Sequence, residues 1–126
     1  METGGNHDVY EFGEYRVVAA KRLLENRDGM VIPLTAKVFD TLIFLLNHSG
    51  SVVSKDEILS SVWSDTVVEE NNLNKNISKL RKVFGEARGE NRFIATVPGK
   101  GYQFVADVRI SKDNVEPDTV EEQPVP

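Results

Sequence analysis

Val68–Phe84 reads VEENNLNKNISKLRKVF. Leu73, Ile77, Leu80 and Phe84 recur in it at intervals of four, three and four, the spacing of one face of an α-helix. At about 100° per residue these side chains fall within a narrow arc and form one buried stripe. The pattern predicts a helix that starts between Val67 and Glu70 and stops at Gly85. Asn71, Lys75, Ser78 and Lys82 then lie near the opposite face, flanked by Asn74, Lys79 and Arg81, and no acid follows Glu70 within the stretch. Lys, Arg, Asn and Ser are the residue types that contact phosphates and base edges. A solvated polar face has the same composition, so the surrounding chain has to decide between the two.

The chain has 126 residues, 40% hydrophobic and 28% charged, which fits one globular domain able to bury a core. With no cysteine, disulfides, thiolate metal sites and cysteine nucleophiles are excluded. The longest apolar runs are far too short for a bilayer. Met1–Tyr10 lacks the basic and apolar regions of a secretory signal, so a cytosolic domain is expected. The net charge of −5 argues at first against a nucleic-acid partner. Its distribution argues the other way: residues 69–110 carry eight basic and five acidic side chains, whereas 111–126 carry one and five. Positive charge is concentrated in the helix and in the segment between it and residue 110.

From the start of the chain, residues 1–8 read as a leader. Tyr10–Phe12 and Tyr15–Ala20 alternate around Gly13 as two short strands. Arg22–Glu25 and Met30–Ile32 flank Asn26-Arg-Asp-Gly29, a hairpin signal because glycine tolerates positive φ. A small antiparallel sheet of three or four strands is expected. Thr35 is the predicted N-cap of a first helix whose apolar face is Val38, Phe39, Leu42, Ile43, Leu45 and Leu46, ending near Gly50. Val52-Val53 reads as an extended link. Ser54-Lys-Asp-Glu57 is a capping box opening a second helix that runs to about Trp63. Thr66-Val-Val-Glu69 is a second possible capping box. After a polar loop, Glu86–Asn91, the segments Arg92–Val97 and Tyr102–Val105 flank Pro98-Gly-Lys-Gly101 as a hairpin with a basic tip. Ser111–Pro126 has three prolines and no periodicity, and is expected to be an acidic tail or linker.

Sheet, three helices and hairpin in that order make an α+β winged helix-turn-helix. Several spaced motifs fit one family: Leu34-Thr-Ala-Lys-Val-Phe39-Asp-Thr-Leu42, Gly50-Ser-Val-Val-Ser54-Lys-Asp-Glu-Ile-Leu59, Val62-Trp63, Val68-Glu69, Asn76-Ile77-Ser-Lys-Leu80-Arg81-Lys82 and Val97-Pro-Gly-Lys-Gly-Tyr102-Gln-Phe104. Over residues 9–108 the chain resembles the DNA-binding domain of the OmpR/PhoB regulators, shared with ToxR/CadC-like proteins. The resemblance implies a domain over 9–110 that binds double-stranded DNA in bacterial transcription control. The third helix would enter the major groove and the wing would touch the adjacent backbone or minor groove.

On that reading Asn71, Asn72, Lys75 and Ser78 face bases, Asn74 lies beside them, and Lys79, Arg81 and Lys82 bind phosphate. In the wing, Thr96 matches a position that contacts the DNA backbone in relatives, and Lys100 supplies tip charge where relatives often have arginine at the position of Pro98. Ser64, Asp65, Thr66 and Val67 match the loop that touches RNA polymerase in activating members. Head-to-tail dimers on direct repeats are a further implication. With about eight residues before the first strand, the ToxR/CadC-like layout is expected, any membrane link lying beyond residue 126. No cofactor, metal or small-molecule substrate is implied.

The remaining residues read as structural. His7 and His48 have no ligand partner in sequence. Asp56 and Glu57 are first-turn acids favoured by the helix dipole rather than a catalytic pair. Trp63, Tyr102 and Phe104 read as packing residues. Gly99-Lys-Gly101 lacks the longer pattern and following helix of a phosphate loop. No set of nucleophile, base and acid supports an enzyme. The competing reading is a winged helix that binds protein instead of DNA, which the net acidity and the absence of arginine from the first half of the third helix favour.

Overall fold

A computed structural model of the protein describes residues 8–64, 68–86, 90 and 92–112. Strands β1 (Asp8–Phe12), β2 (Tyr15–Val18), β3 (Leu23–Glu25) and β4 (Val31–Ile32) pair antiparallel with their neighbours in sequence. The β3–β4 turn forms as the Asp-Gly pair predicts. Asn26 Oδ1 accepts the N–H groups of Asp28 and Met30, and Gly29 takes φ 80°, a conformation that costs glycine little. One difference lies before β3, where a 3-10 turn at Ala19–Lys21 ends in Arg22 with a left-handed backbone (φ 51°). This bend aims the Arg22 guanidinium across the Phe39 ring, 4.7 Å from its centroid, and onto Asp40 at 2.8 Å.

The sheet has a fifth strand that sequence reading did not anticipate. β8 (Arg109–Lys112) pairs along β1, giving the order β4-β3-β2-β1-β8. An isolated β1 edge would present a row of free backbone groups, and β8 covers it. Across the sheet Arg109, Glu11, Arg16 and Glu25 stand in register, with pairs Arg109–Glu11 at 3.3 Å and Arg16–Glu25 at 2.6 Å. Because β1 begins at Asp8 and β8 ends at Lys112, the described unit reaches just past the 9–110 limits drawn from sequence.

Helix α1 (Ala36–Asn47) is capped by Thr35, whose hydroxyl accepts the Val38 N–H, and it buries Val38, Phe39, Thr41, Leu42, Leu45 and Leu46. Helix α2 (Lys55–Val62) opens on the predicted capping box: Ser54 Oγ accepts the Glu57 N–H at 3.0 Å, and the Glu57 carboxylate accepts the Ser54 N–H at 2.8 Å. The Ser54 N–H, then its hydroxyl, hold the Glu57 carboxyl below its ordinary range. A depressed folded pKa means this cap contributes above the unfolded glutamate value and is lost as pH falls through the folded one. Helix α3 (Glu70–Val83) starts inside the predicted window, but its N-cap, Glu69, makes no side-chain capping bond; Thr66, the other possible cap, lies outside the described residues. Its end is a Schellman turn: Gly85 (φ 69°) donates to the Lys82 carbonyl and Glu86 to that of Arg81, closing two otherwise orphaned acceptors.

Strands β5 (Val52–Ser54), β6 (Ile94–Val97) and β7 (Gly101–Phe104) form a second sheet in the order β5-β7-β6. The extended link before α2 is therefore a strand, and it joins the wing to the helix-turn-helix. The core lies between the sheets, with α1 in contact with α2, α3 and β7. Phe12 of the first sheet packs edge-on against Phe84 and Phe104, at 5.4 and 5.1 Å between centroids. Ile77 of α3 is 1% exposed within this core. Ile77→Ala is expected to cost about 2–5 kcal/mol, the range for a cavity left by a large aliphatic residue, read as a fall in denaturation midpoint with unchanged slope.

Candidate nucleic-acid interface

Burying Leu73, Ile77 and Leu80 turns the other side of α3 outward. Asn71, Lys75, Ser78, Lys79 and Lys82 are exposed, and with Asn74 they rim an open hollow of about 360 Å³. The helix is held at this rotation by Asn76, whose Nδ2 donates to Thr41 Oγ1 at 3.1 Å and to the Lys37 carbonyl at 3.3 Å on α1. In the sequence Asn76 is one residue of a motif, and its role as a strut has no local signal. Lys75, Lys79 and Lys82 make no ion pair among the described residues, so three cations face solvent along one line of the helix.

The wing stands beside this face. Lys100 is exposed at the β6–β7 tip, its N–H donating to the Val97 carbonyl at 3.0 Å. The tip overhangs a crevice of about 420 Å³ lined by Ser54, Lys55, Asp56, Glu70, Gly99 and Lys100. Here Lys55 pairs with Glu70 at 2.6 Å. The hydrogen bond to Glu70 holds the Lys55 ammonium above its ordinary range. The pair neutralises the acid in the first turn of α3, the one charge on that helix that would repel a phosphate.

Two expected contact residues are engaged inside the protein. Arg81 is half-buried: its Nε and Nη2 donate to the Ile94 carbonyl at 3.2 and 2.9 Å, and Nη2 donates to Thr96 Oγ1 at 2.8 Å. Where a phosphate contact is expected of Arg81, the guanidinium also bonds within the protein. About 100° of helical rotation separates it from Lys82, which is enough to aim it at β6 rather than at solvent. Arg81 thereby fastens α3 to the wing and holds Thr96, itself exposed. Asn74 is exposed on the helix, and its Oδ1 accepts the Tyr102 hydroxyl at 2.9 Å. Asn72 is exposed, its amide leaning back toward the Glu69 carbonyl at 3.4 Å. Of the expected polymerase-contact loop, Ser64 is exposed after α2, while Asp65, Thr66 and Val67 lie outside the described residues.

Other supports escaped sequence reading. Lys37 of α1 donates to the Val62 carbonyl at 2.7 Å and lies over the Trp63 ring, 6.0 Å from its centroid, so it satisfies the C-terminal end of α2. Glu86, read as part of a polar loop, is 7% exposed and accepts the N–H groups of Arg92, Phe93 and Ile94. His48 stacks on Phe44 and bonds its carbonyl. Among the described residues no group of three His, Cys, Asp or Glu could hold a metal ion, and no helix is long and apolar enough to cross a membrane.

Comparison with known proteins agrees with this geometry. The family model described as transcriptional regulatory protein, C terminal, matches residues 29–104. The transcriptional activator CadC of Escherichia coli (strain K12) is 33% identical over 101 residues, which are 79% of this chain and 20% of that protein. The transcriptional regulator HilA of Salmonella typhimurium is 36% identical over 85 residues, 63% of this chain and 15% of that protein. The chain thus spans a fifth or less of the length of these relatives. Among solved structures, the DNA-binding domain of E. coli CadC superposes with TM-score 0.70 and 30% identity, covering 84% of this chain and 98% of that one. The DNA-binding domain of Klebsiella pneumoniae RstA, in complex with the RstA box, gives 0.68 and 28%, covering 77% and 96%.

Proposed function

The chain belongs to the family of C-terminal, OmpR/PhoB-type domains of transcriptional regulatory proteins, and we propose that it binds double-stranded DNA sequence-specifically to control bacterial transcription. The observation that carries this reading is the outward face of α3, where Asn71, Lys75, Ser78, Lys79 and Lys82 are exposed beside the wing. A helix set in this way fits the major groove, with a hairpin reaching the adjacent backbone or minor groove. Lys75 suits a guanine edge, and Asn71 and Asn72 suit adenine. Ser78 accepts either, while Lys79, Lys82, Thr96 and Lys100 suit phosphate. Similarity to CadC and HilA favours the ToxR/CadC-like layout, in which a cytosolic domain of this kind serves a larger regulator. Contact of Ser64–Val67 with RNA polymerase and head-to-tail pairing on direct repeats complete the proposal.

The test is a set of binding titrations on selected and scrambled duplexes, with melting curves alongside. Lys75→Ala should fold normally, because alanine is the better helix former. Its specific affinity should fall by about 1–3 kcal/mol if the lysine reads a guanine. Lys100→Ala should weaken binding to all sequences alike and lower the salt slope by about one unit. If Lys75→Ala and Ser78→Ala both bind DNA as the parent does, the face of α3 is not the reading surface, and a protein partner takes its place.

A further inference from the structure

Arg81 is a cation of α3 that bonds the wing directly. Its Nε and Nη2 donate to the Ile94 carbonyl, and Nη2 also donates to Thr96 Oγ1 at 2.8 Å. A guanidinium has only hydrogens to give, so in the last bond the threonine oxygen is the acceptor. The chemistry of arginine alone fixes that direction. Thr96 keeps its own hydrogen, and among the described residues that hydrogen has no acceptor. The side chain is exposed.

The strand register places this hydroxyl. Ile94 and Thr96 lie two apart on β6, opposite Phe104 and Tyr102 on β7. Side chains two apart share a face, and Ile94, Tyr102 and Phe104 are buried in the core. Thr96 therefore stands on the α3 side of the wing, where that row leaves the core and meets solvent. A duplex that takes α3 in one groove and the wing beside the next carries a strand of phosphates across this seam.

We propose that Arg81 is a positioning residue for the wing contact, holding Thr96 so that its hydroxyl donates to a phosphate oxygen at the seam. The inference rests on the DNA-binding reading above and deepens it. Phosphate oxygens accept hydrogen bonds, and hydroxyls are among their usual donors, so they match the one group Thr96 has left to offer. The bond from the cation holds a β-branched side chain that is already stiff at χ1, and it polarises the hydroxyl toward its acceptor. Arg81 thus acts on DNA through Thr96 rather than through a phosphate of its own.

The test is ethylation interference, in which an ethyl group on a contacted phosphate blocks binding. It uses the parent, Thr96→Val, Thr96→Ser and Arg81→Lys on one duplex selected by the parent, with affinity titrations and melting curves alongside. The parent should show an interfering phosphate at the seam that Thr96→Val and Arg81→Lys both lose. Thr96→Val should bind about tenfold more weakly, the scale of a hydrogen bond to a charged group. Its salt slope should be unchanged, because no charge is removed. Thr96→Ser keeps the hydroxyl and should keep the interference. Arg81→Lys retains the charge without the fork, and adding Thr96→Val to it should cause no further loss. Should the lysine variant melt below the assay temperature, Arg81→Gln carries the same comparison. A Thr96→Val pattern identical to the parent's would overturn the inference. So would losses that add, or an Arg81 variant that frees a different phosphate, which would give the arginine a contact of its own. If the parent binds no duplex at all, the DNA-binding reading fails instead.

Discussion

Gly101→Ala is expected to destabilise the domain by about 3 kcal/mol or more, the upper range for forcing atoms into packed structure. Gly101 opens β7 and is paired with Ser54 of β5 and Val97 of β6. A Cβ built there would stand 1.9 Å from the Val53 carbonyl oxygen and 2.9 Å from Ser54 Cα. Both neighbours are backbone, so no rotamer change relieves the clash. β5 would have to withdraw from β7, and Ser54, which ends β5, is also the N-cap of α2. One methyl group therefore strains the wing and the helix-turn-helix together. Gly99, with φ 75° and nothing near its missing Cβ, is the control: Gly99→Ala should cost only about 1–2 kcal/mol for a left-handed alanine. Thermal melts of the two variants decide the matter. A Gly101→Ala melting temperature equal to that of Gly99→Ala would mean that β5 does not lie against β7 as described.

Glu86→Ala should cost about 3–5 kcal/mol, because its buried side chain accepts three successive backbone N–H groups leading into β6. One oxygen accepts the N–H groups of Arg92 and Phe93 and the other that of Ile94, just where β6 begins. Each buried donor left unsatisfied costs about 1–3 kcal/mol, and bonds to an ionised group lie toward the upper end. Glu86→Gln should fall between, since one amide oxygen replaces two carboxylate oxygens. Glu90→Ala, removing an exposed carboxylate 3.3 Å from Arg92, should change stability by about 1 kcal/mol at most. Denaturant titrations that ranked Glu90→Ala with Glu86→Ala would contradict the assignment.

At both positions the decisive neighbour is distant in sequence or has no local signature. Gly101 was legible as a turn glycine, but the need for glycine comes from β5, which is distant in sequence and read as a mere link. Glu86 follows Gly85 in a run of polar residues, and nothing local separates a buried acceptor from a solvated one. Arg81 and Lys82 are adjacent cations, yet one bonds β6 and the other faces solvent.

What the sequence by itself determined is everything governed by near neighbours. The period of Leu73, Ile77, Leu80 and Phe84 set the helix and its faces. Thr35 and the Ser54–Glu57 box set two helix starts, Asp28-Gly29 a hairpin, and Gly85 a helix stop. Each depends on dihedral preference or on a partner within one helical turn, so the information is local. The tertiary structure alone decided the closure of the first sheet by β8, where Arg109 meets Glu11 from 98 residues away, and the Tyr102–Asn74 bond, which spans 28. It also decided the inward turn of Arg81 and the strut at Asn76. The same side chain suits either a solvent role or an internal one in these cases. The choice falls to whichever backbone the completed core brings within bonding distance.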